Sequence, residues 1–152
     1  MADDGPRNDD TADLIARQIR GDLPLPPVAR LVGFRVVSAG SGSAVTEMQA
    51  DQRHTNPMGT LHGGILCDLA DGAMGYAMAA SLDRGQSFTT LEMKINFLKP
   101  VWEARLTATA RTVKRTRTLC LMECDVTDEG GSLVARASST CLILHGEQAR
   151  GR

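Results

Sequence analysis

The run His62-Gly63-Gly64-Ile65-Leu66-Cys67-Asp68-Leu69-Ala70-Asp71-Gly72-Ala73-Met74-Gly75-Tyr76-Ala77 decides how this chain reads. Two glycines open it, at the point where a helix leaves amide groups unpaired. An apolar stretch of small residues follows, carrying acids where burial disfavours charge. From His62 to about Ser81 the helix would span roughly 30 Å at about 1.5 Å per residue. Ile65, Leu66, Leu69, Ala70, Ala73, Met74, Ala77 and Met78 leave it almost no polar face, which predicts a buried helix. Amides at its start can hold an oxyanion, and a carboxylate about two turns further along can activate water. The pattern suits hydrolytic chemistry.

Outward from this helix the pattern is that of strands. Upstream, Phe34–Ser38 and Ser43–Met48 flank Ala39-Gly40-Ser41-Gly42 as a hairpin. Downstream, Thr89–Phe97 alternates cleanly, with Leu91, Met93, Ile95 and Phe97 on one face and Thr90, Glu92, Lys94 and Asn96 on the other. Runs at 105–113, 119–127 and 133–144 follow, the last two joined through Asp128-Glu129-Gly130-Gly131. Lys114-Arg115-Thr116-Arg117 reads as a charged turn between strands. Strands, one central helix, then hairpin-linked strands describe an α+β domain with a curved antiparallel sheet around the helix. We bound that domain at 34–145. Residues 11–33 form a helical and extended lead-in, with Thr11 as N-cap and Gly21 as stop, and 1–10 a disordered tail.

Composition narrows the partners. At 152 residues one domain suffices, and 42% hydrophobic with 23% charged residues excludes wholesale disorder. A net charge of −1 and 3% aromatics argue against nucleic acid. No run reaches bilayer length, and MADDGPRNDD leads into no signal-type apolar run, so no membrane partner is expected. The four cysteines lack zinc-site spacing, and Cys120 and Cys124 share a strand face with Met122 and Val126. A reduced, cytoplasmic protein without metal or cofactor is the expectation.

Three segments together resemble a known family: Asn56-Pro57-Met58-Gly59-Thr60-Leu61-His62-Gly63-Gly64, Leu69-Ala70-Asp71 and Phe97-Leu98-Lys99-Pro100. They look like the hotdog-fold acyl-CoA thioesterases, phenylacetate-pathway (PaaI-like) branch, over roughly Arg53 to Leu144. The resemblance implies an acyl-CoA substrate, a dimer or dimer-of-dimers tetramer, and sites shared between subunits. By position Asp71 matches the catalytic carboxylate, Gly63 the amide that polarises the carbonyl, and Asn56 the side chain holding substrate or water. Thr90 matches the residue orienting the nucleophilic water, and His62 a supporting histidine. Gly64 joins the substrate-binding set, and Lys114, Arg115 and Arg117, with Arg136 a weaker candidate, match basic residues that meet coenzyme A phosphates. The loop Val101-Trp102-Glu103-Ala104 departs from relatives, lacking their Gly-Asp.

From spacing alone Asp71 reads more readily as an ion-pair or solvated-edge residue; the resemblance reverses those odds. Asp68, in an early turn, reads as a dipole partner, and Cys67 as core. His54 and His145 read as loop and tail residues. Helix positions such as Met74 and Met78 are expected to line an adaptable acyl pocket. The competing functions are a non-catalytic acyl-CoA-binding protein, disfavoured by Asp71, and a hotdog dehydratase or hydratase, whose paired His and acid motif the chain lacks.

Overall fold

The computed structural model describes residues 8–150; of the tail expected at 1–10, residues 1–7 lie outside the described residues and 8–10 are helical rather than disordered. Helix α1, Asn8–Arg20, begins three residues before Thr11, which therefore lies inside it rather than capping it. Pro24 and Pro26 hold an extended link, and Pro27 opens α2, Pro27–Val32, where a missing N–H is harmless. The hairpin follows as β1, Phe34–Gly40, and β2, Ser43–Ala50. A tight helical turn at Gln52–His54 then leads through the loop to α3, Gly63–Ala79. Four strands complete the chain: β3, Gln86–Phe97; β4, Ala104–Arg115; β5, Leu119–Asp128; and β6, Leu133–His145.

One six-stranded sheet results, in the order β1-β2-β4-β5-β6-β3, with every pairing antiparallel. It curves around α3 in the hotdog arrangement. Alternation supplies its inner face: Leu106, Ala108 and Ala110 on β4 are buried, and so are Cys120, Met122, Cys124 and Val126 on β5, the last set as their spacing predicts. The small residues among them, Ala108, Ala110, Cys120 and Cys124, let the sheet approach the helix. The Thr46 hydroxyl, fully buried on β2, donates to the Leu69 carbonyl at 3.2 Å and fastens the helix centre to the sheet. Gly72 permits a second close approach, because a Cβ there would lie 2.9 Å from the Phe34 ring.

The helix is not buried all round. Leu66, Leu69, Ala70, Ala73, Met74, Ala77 and Met78 pack on the sheet, while Gly64, Asp68 and Asp71 lie along an open side. Asp68 and Asp71 are the helix's only charged residues and Gly64 is neither polar nor bulky, so the pattern shows little of this solvent face. Two further expectations need correction. Lys114 and Arg115 belong to β4, so the turn is confined to Thr116–Thr118, with Thr116 N–H donating to the Leu119 carbonyl. His54 is no loop residue at the surface: it is 8% exposed, accepts the Asp51 N–H at Nδ1 and donates from Nε2 to the Val32 carbonyl at 2.9 Å. It ties α2 to the segment before the central helix.

Candidate active site

The start of α3 is assembled by the loop that precedes it. Asn56 accepts the Met58 and Thr60 amides at Oδ1 and donates from Nδ2 to the Thr60 hydroxyl, closing a turn around its own side chain. Leu61 N–H donates to the Val101 carbonyl and His62 N–H to the His54 carbonyl, which places the helix origin. His62 then caps the helix, its Nδ1 accepting the Gly64 N–H at 2.8 Å. Among the described residues the Gly63 N–H has no partner. The two adjacent glycines thus differ: one amide is capped and the other is free to donate.

Gly63 also answers to packing. A Cβ at this position would stand 2.8 Å from the Phe97 ring, so Phe97 covers the backbone only because residue 63 has no side chain. Asn56, Thr60, Gly63, Phe97 and Pro100 line a groove of about 390 Å³. Phe97 is not among the site residues the sequence points to, although it opens the segment Phe97-Leu98-Lys99-Pro100 that carries the resemblance. Met74 and Met78 are absent from the groove. They are 1% and 0% exposed and face the sheet, which corrects their expected place in an acyl pocket.

Eight residues along the same helix stands Asp71, about 12 Å from Gly63 at about 1.5 Å rise per residue. Thr90 Oγ1 donates to Asp71 Oδ1 at 3.4 Å, a long contact. The carboxylate is open to solvent on one side and crowded by helix and strand on the other. Desolvation raises its pKa above the ordinary aspartate value; the Thr90 hydroxyl opposes that shift and the neighbouring Asp68 charge adds to it. Asp68, more open, is raised by desolvation alone. Desolvation also leads the upward shift of the Cys67 thiol, with Asp68 and Asp71 adding to it, so no thiolate is prepared there. The structure therefore places Asn56, His62, Gly63 and Gly64 together, and Asp71 with Thr90 apart from them.

The basic residues divide as well. Arg115 reaches under the helix end, donating to the Ser81 carbonyl and, at 2.8 Å, to Gln86 Oε1, with Asp83 at 3.4 Å. Arg136 makes a two-pronged pair with Asp125 at 2.6 and 2.8 Å. Lys114 and Arg117 are exposed and form no ion pair among the described residues. Among those residues no group of three or more His, Cys, Asp or Glu side chains is placed to hold a metal ion. No helix there is long and apolar enough to cross a membrane.

Comparison with known proteins adds the family. The thioesterase superfamily pattern matches residues 58–135, which include Gly63, Asp71 and Thr90. Human acyl-coenzyme A thioesterase 13 is 32% identical over 114 residues, 73% of this chain and 81% of its own length. The 1,4-dihydroxy-2-naphthoyl-CoA hydrolase of Listeria monocytogenes is 28% identical over 112 residues, covering 74% of this chain and 91% of its own. The crystal structure of a phenylacetic acid degradation-related protein from Ralstonia eutropha superposes with a TM-score of 0.75 at 31% identity, covering 84% of this chain and 98% of that one. With this sheet, this helix start and these similarities, the chain belongs to the thioesterase superfamily and is a hotdog-fold thioester hydrolase.

Proposed function

We propose that the protein hydrolyses acyl- or aryl-acyl-CoA thioesters to the free acid and coenzyme A, at sites shared by two copies of the chain. One observation carries the reading: a free amide and a crowded carboxylate lie on one rigid helix, about 12 Å apart. Oxyanion donor and base must both reach one carbonyl group within hydrogen-bonding range, so a single chain holds two half-sites. The open edge of β3 supports their completion. It is a 12-residue strand paired on one side only, and Leu91, Phe97 and Leu98 beside it are each more than half exposed. A second copy pairing along this edge meets its unpaired backbone groups. Two such dimers make the tetramer we favour.

In this reading Gly63 N–H, backed by the helix dipole, holds the thioester oxygen of a substrate lying against the groove. Asp71 of the adjoining copy removes a proton from water as it attacks the carbonyl carbon, and Thr90 orients that water or the carboxylate. The tetrahedral intermediate then collapses, breaking the carbon–sulfur bond and releasing coenzyme A. Attack by the carboxylate itself, through a mixed anhydride, uses the same residues. His62 shapes the helix start, and Asn56 holds the loop while a second Nδ2 hydrogen stays available for substrate or water. Gly64 contributes by leaving room, its amide being capped. Lys114 and Arg117 meet the phosphates of coenzyme A, while Arg115 supports that edge by holding the end of α3. The four free cysteines fit a cytoplasmic setting.

The test is thiol release from a panel of aryl- and aliphatic-acyl-CoAs. Turnover is expected on at least one member, with Asp71→Ala abolishing it while acyl-CoA binding persists. Tight binding without turnover across the panel would overturn the assignment in favour of a non-catalytic binding protein.

A further inference from the structure

The contact between Thr90 and Asp71 depends on an irregularity in β3. Up to Thr90 the strand pairs with β6 in one register, Phe88 opposite Ile143 and Thr90 opposite Cys141. From Glu92 the register moves by one residue, so that Met93 faces Ser139, Ile95 faces Ala137 and Phe97 faces Ala135. Leu91 is the extra residue of a β-bulge and is 54% exposed. Directly opposed residues share a sheet face, and Cys141, Ser139, Ala137 and Ala135 are all buried. Thr90 therefore shares the inner face with Met93, Ile95 and Phe97. Unbroken alternation would place Thr90 with Glu92 and Lys94, turned away from the helix.

A bulge removes ladder pairing locally, and an unpaired carbonyl inside the sheet is unfavourable. Ser139, 1% exposed at the centre of β6, donates its hydroxyl to the Glu92 carbonyl at 2.8 Å, just past the bulge. We infer that Ser139 is a positioning residue for the hydrolytic site, holding the β3 bulge in the form that turns the Thr90 hydroxyl toward Asp71. Cys141 faces Thr90 across the two strands; burial pushes its thiol up, and the neighbouring Thr90 and Ser139 hydroxyls oppose that shift. No charge and no substrate contact is assigned to Ser139; it acts through Thr90.

The inference rests on the assignment of Asp71 and Thr90 made above, and its test separates the two. The protein labelled with 13C at aspartate Cγ is titrated by NMR, and kcat and KM are measured with the best acyl-CoA of the panel. Ser139→Ala is expected to raise the Asp71 pKa, because a hydroxyl that favours the ionised form is turned away. It should lower kcat about tenfold with KM unchanged. Thr90→Val should do the same, the double variant should be no worse than Thr90→Val alone, and Ser139→Thr should stay near wild type. If Ser139→Ala does not fold, Ser139→Cys, of similar size and a weaker donor, should move both readouts in the same direction. A lowered Tm with the Asp71 pKa and kcat unmoved would overturn the inference. An unmoved pKa with turnover lost in Asp71→Ala removes this inference alone; a raised pKa with turnover surviving in Asp71→Ala keeps the coupling and removes the assigned function.

Discussion

The two halves of the site are built differently although they share a helix. At Gly63 the donor belongs to the backbone, and its position follows from the Asn56 turn, the Val101 and His54 carbonyls, the His62 cap and the Phe97 ring. At Asp71 the acting group is a side chain open on one side and held by one long contact from Thr90. In the proposed mechanism the oxyanion half is preorganised within one chain, whereas the carboxylate half lies beside the open β3 edge, where a second copy would complete it. Electrostatic stabilisation works best with donors that need no rearrangement, while a base must exchange protons with water. The unequal construction follows that division of labour.

The strongest challenge to this contrast is removal of the carboxylate. Asp71→Ala is expected to lower kcat about 10³-fold, or ~4 kcal/mol, in the thiol-release assay. Asp71→Asn should do nearly the same while raising Tm slightly at neutral pH. Because the folded pKa is raised, the native state holds its proton to higher pH than the unfolded chain, and ionisation weakens the fold as pH rises through that window. A lowered Tm for Asp71→Asn would mean that the charge supports the fold. Next in size is Gly63→Val. Its side chain must displace Phe97, and kcat should fall about 10²-fold with a measurable loss of Tm.

Smaller effects sharpen the contrast. Asn56→Ala removes the acceptor of two loop amides, and chemical denaturation should show a loss of about 2 kcal/mol with a moderate fall in kcat. Lys114→Glu with Arg117→Glu should raise KM about tenfold at unchanged kcat, since in the proposed complex they meet only the remote phosphates. Arg115→Ala should instead lower Tm, because its guanidinium holds the end of α3. The smallest change is in the pH profile. Asp68→Asn removes a charge that raises the Asp71 pKa, so the acid limb of kcat should move to lower pH. Thr90→Val removes a donor that lowers it, and the limb should move up.

Much of the fold was legible because period-two runs and an apolar helix are strong signals. The inner face of β5 follows directly from Cys120 to Val126, whereas on β4 the structure decides that Leu106, Ala108 and Ala110 point inward. What escaped was where the pattern breaks or where partners are distant in sequence. Thr89–Phe97 reads as unbroken alternation, yet Leu91 bulges and Thr90 turns inward, because Ser139, 47 residues away, stabilises the break. His54 looks like a loop residue until its ring is seen to join Asp51 and Val32. Arg115 sits in a basic run, but its role comes from a helix end 34 residues earlier. Gly63 and Asp71 were singled out from the motif; that the helix keeps them apart follows from its rise alone.

Subunit mixing tests the shared site most directly. Asp71→Ala and Gly63→Val proteins, each strongly impaired alone, are unfolded together, refolded as a mixture and assayed for thiol release. A mixed dimer carries one site with both wild-type residues, so random pairing should restore about a quarter of wild-type activity. Recovery absent from mixtures shown to contain mixed dimers would contradict a site built from Gly63 of one copy and Asp71 of the other.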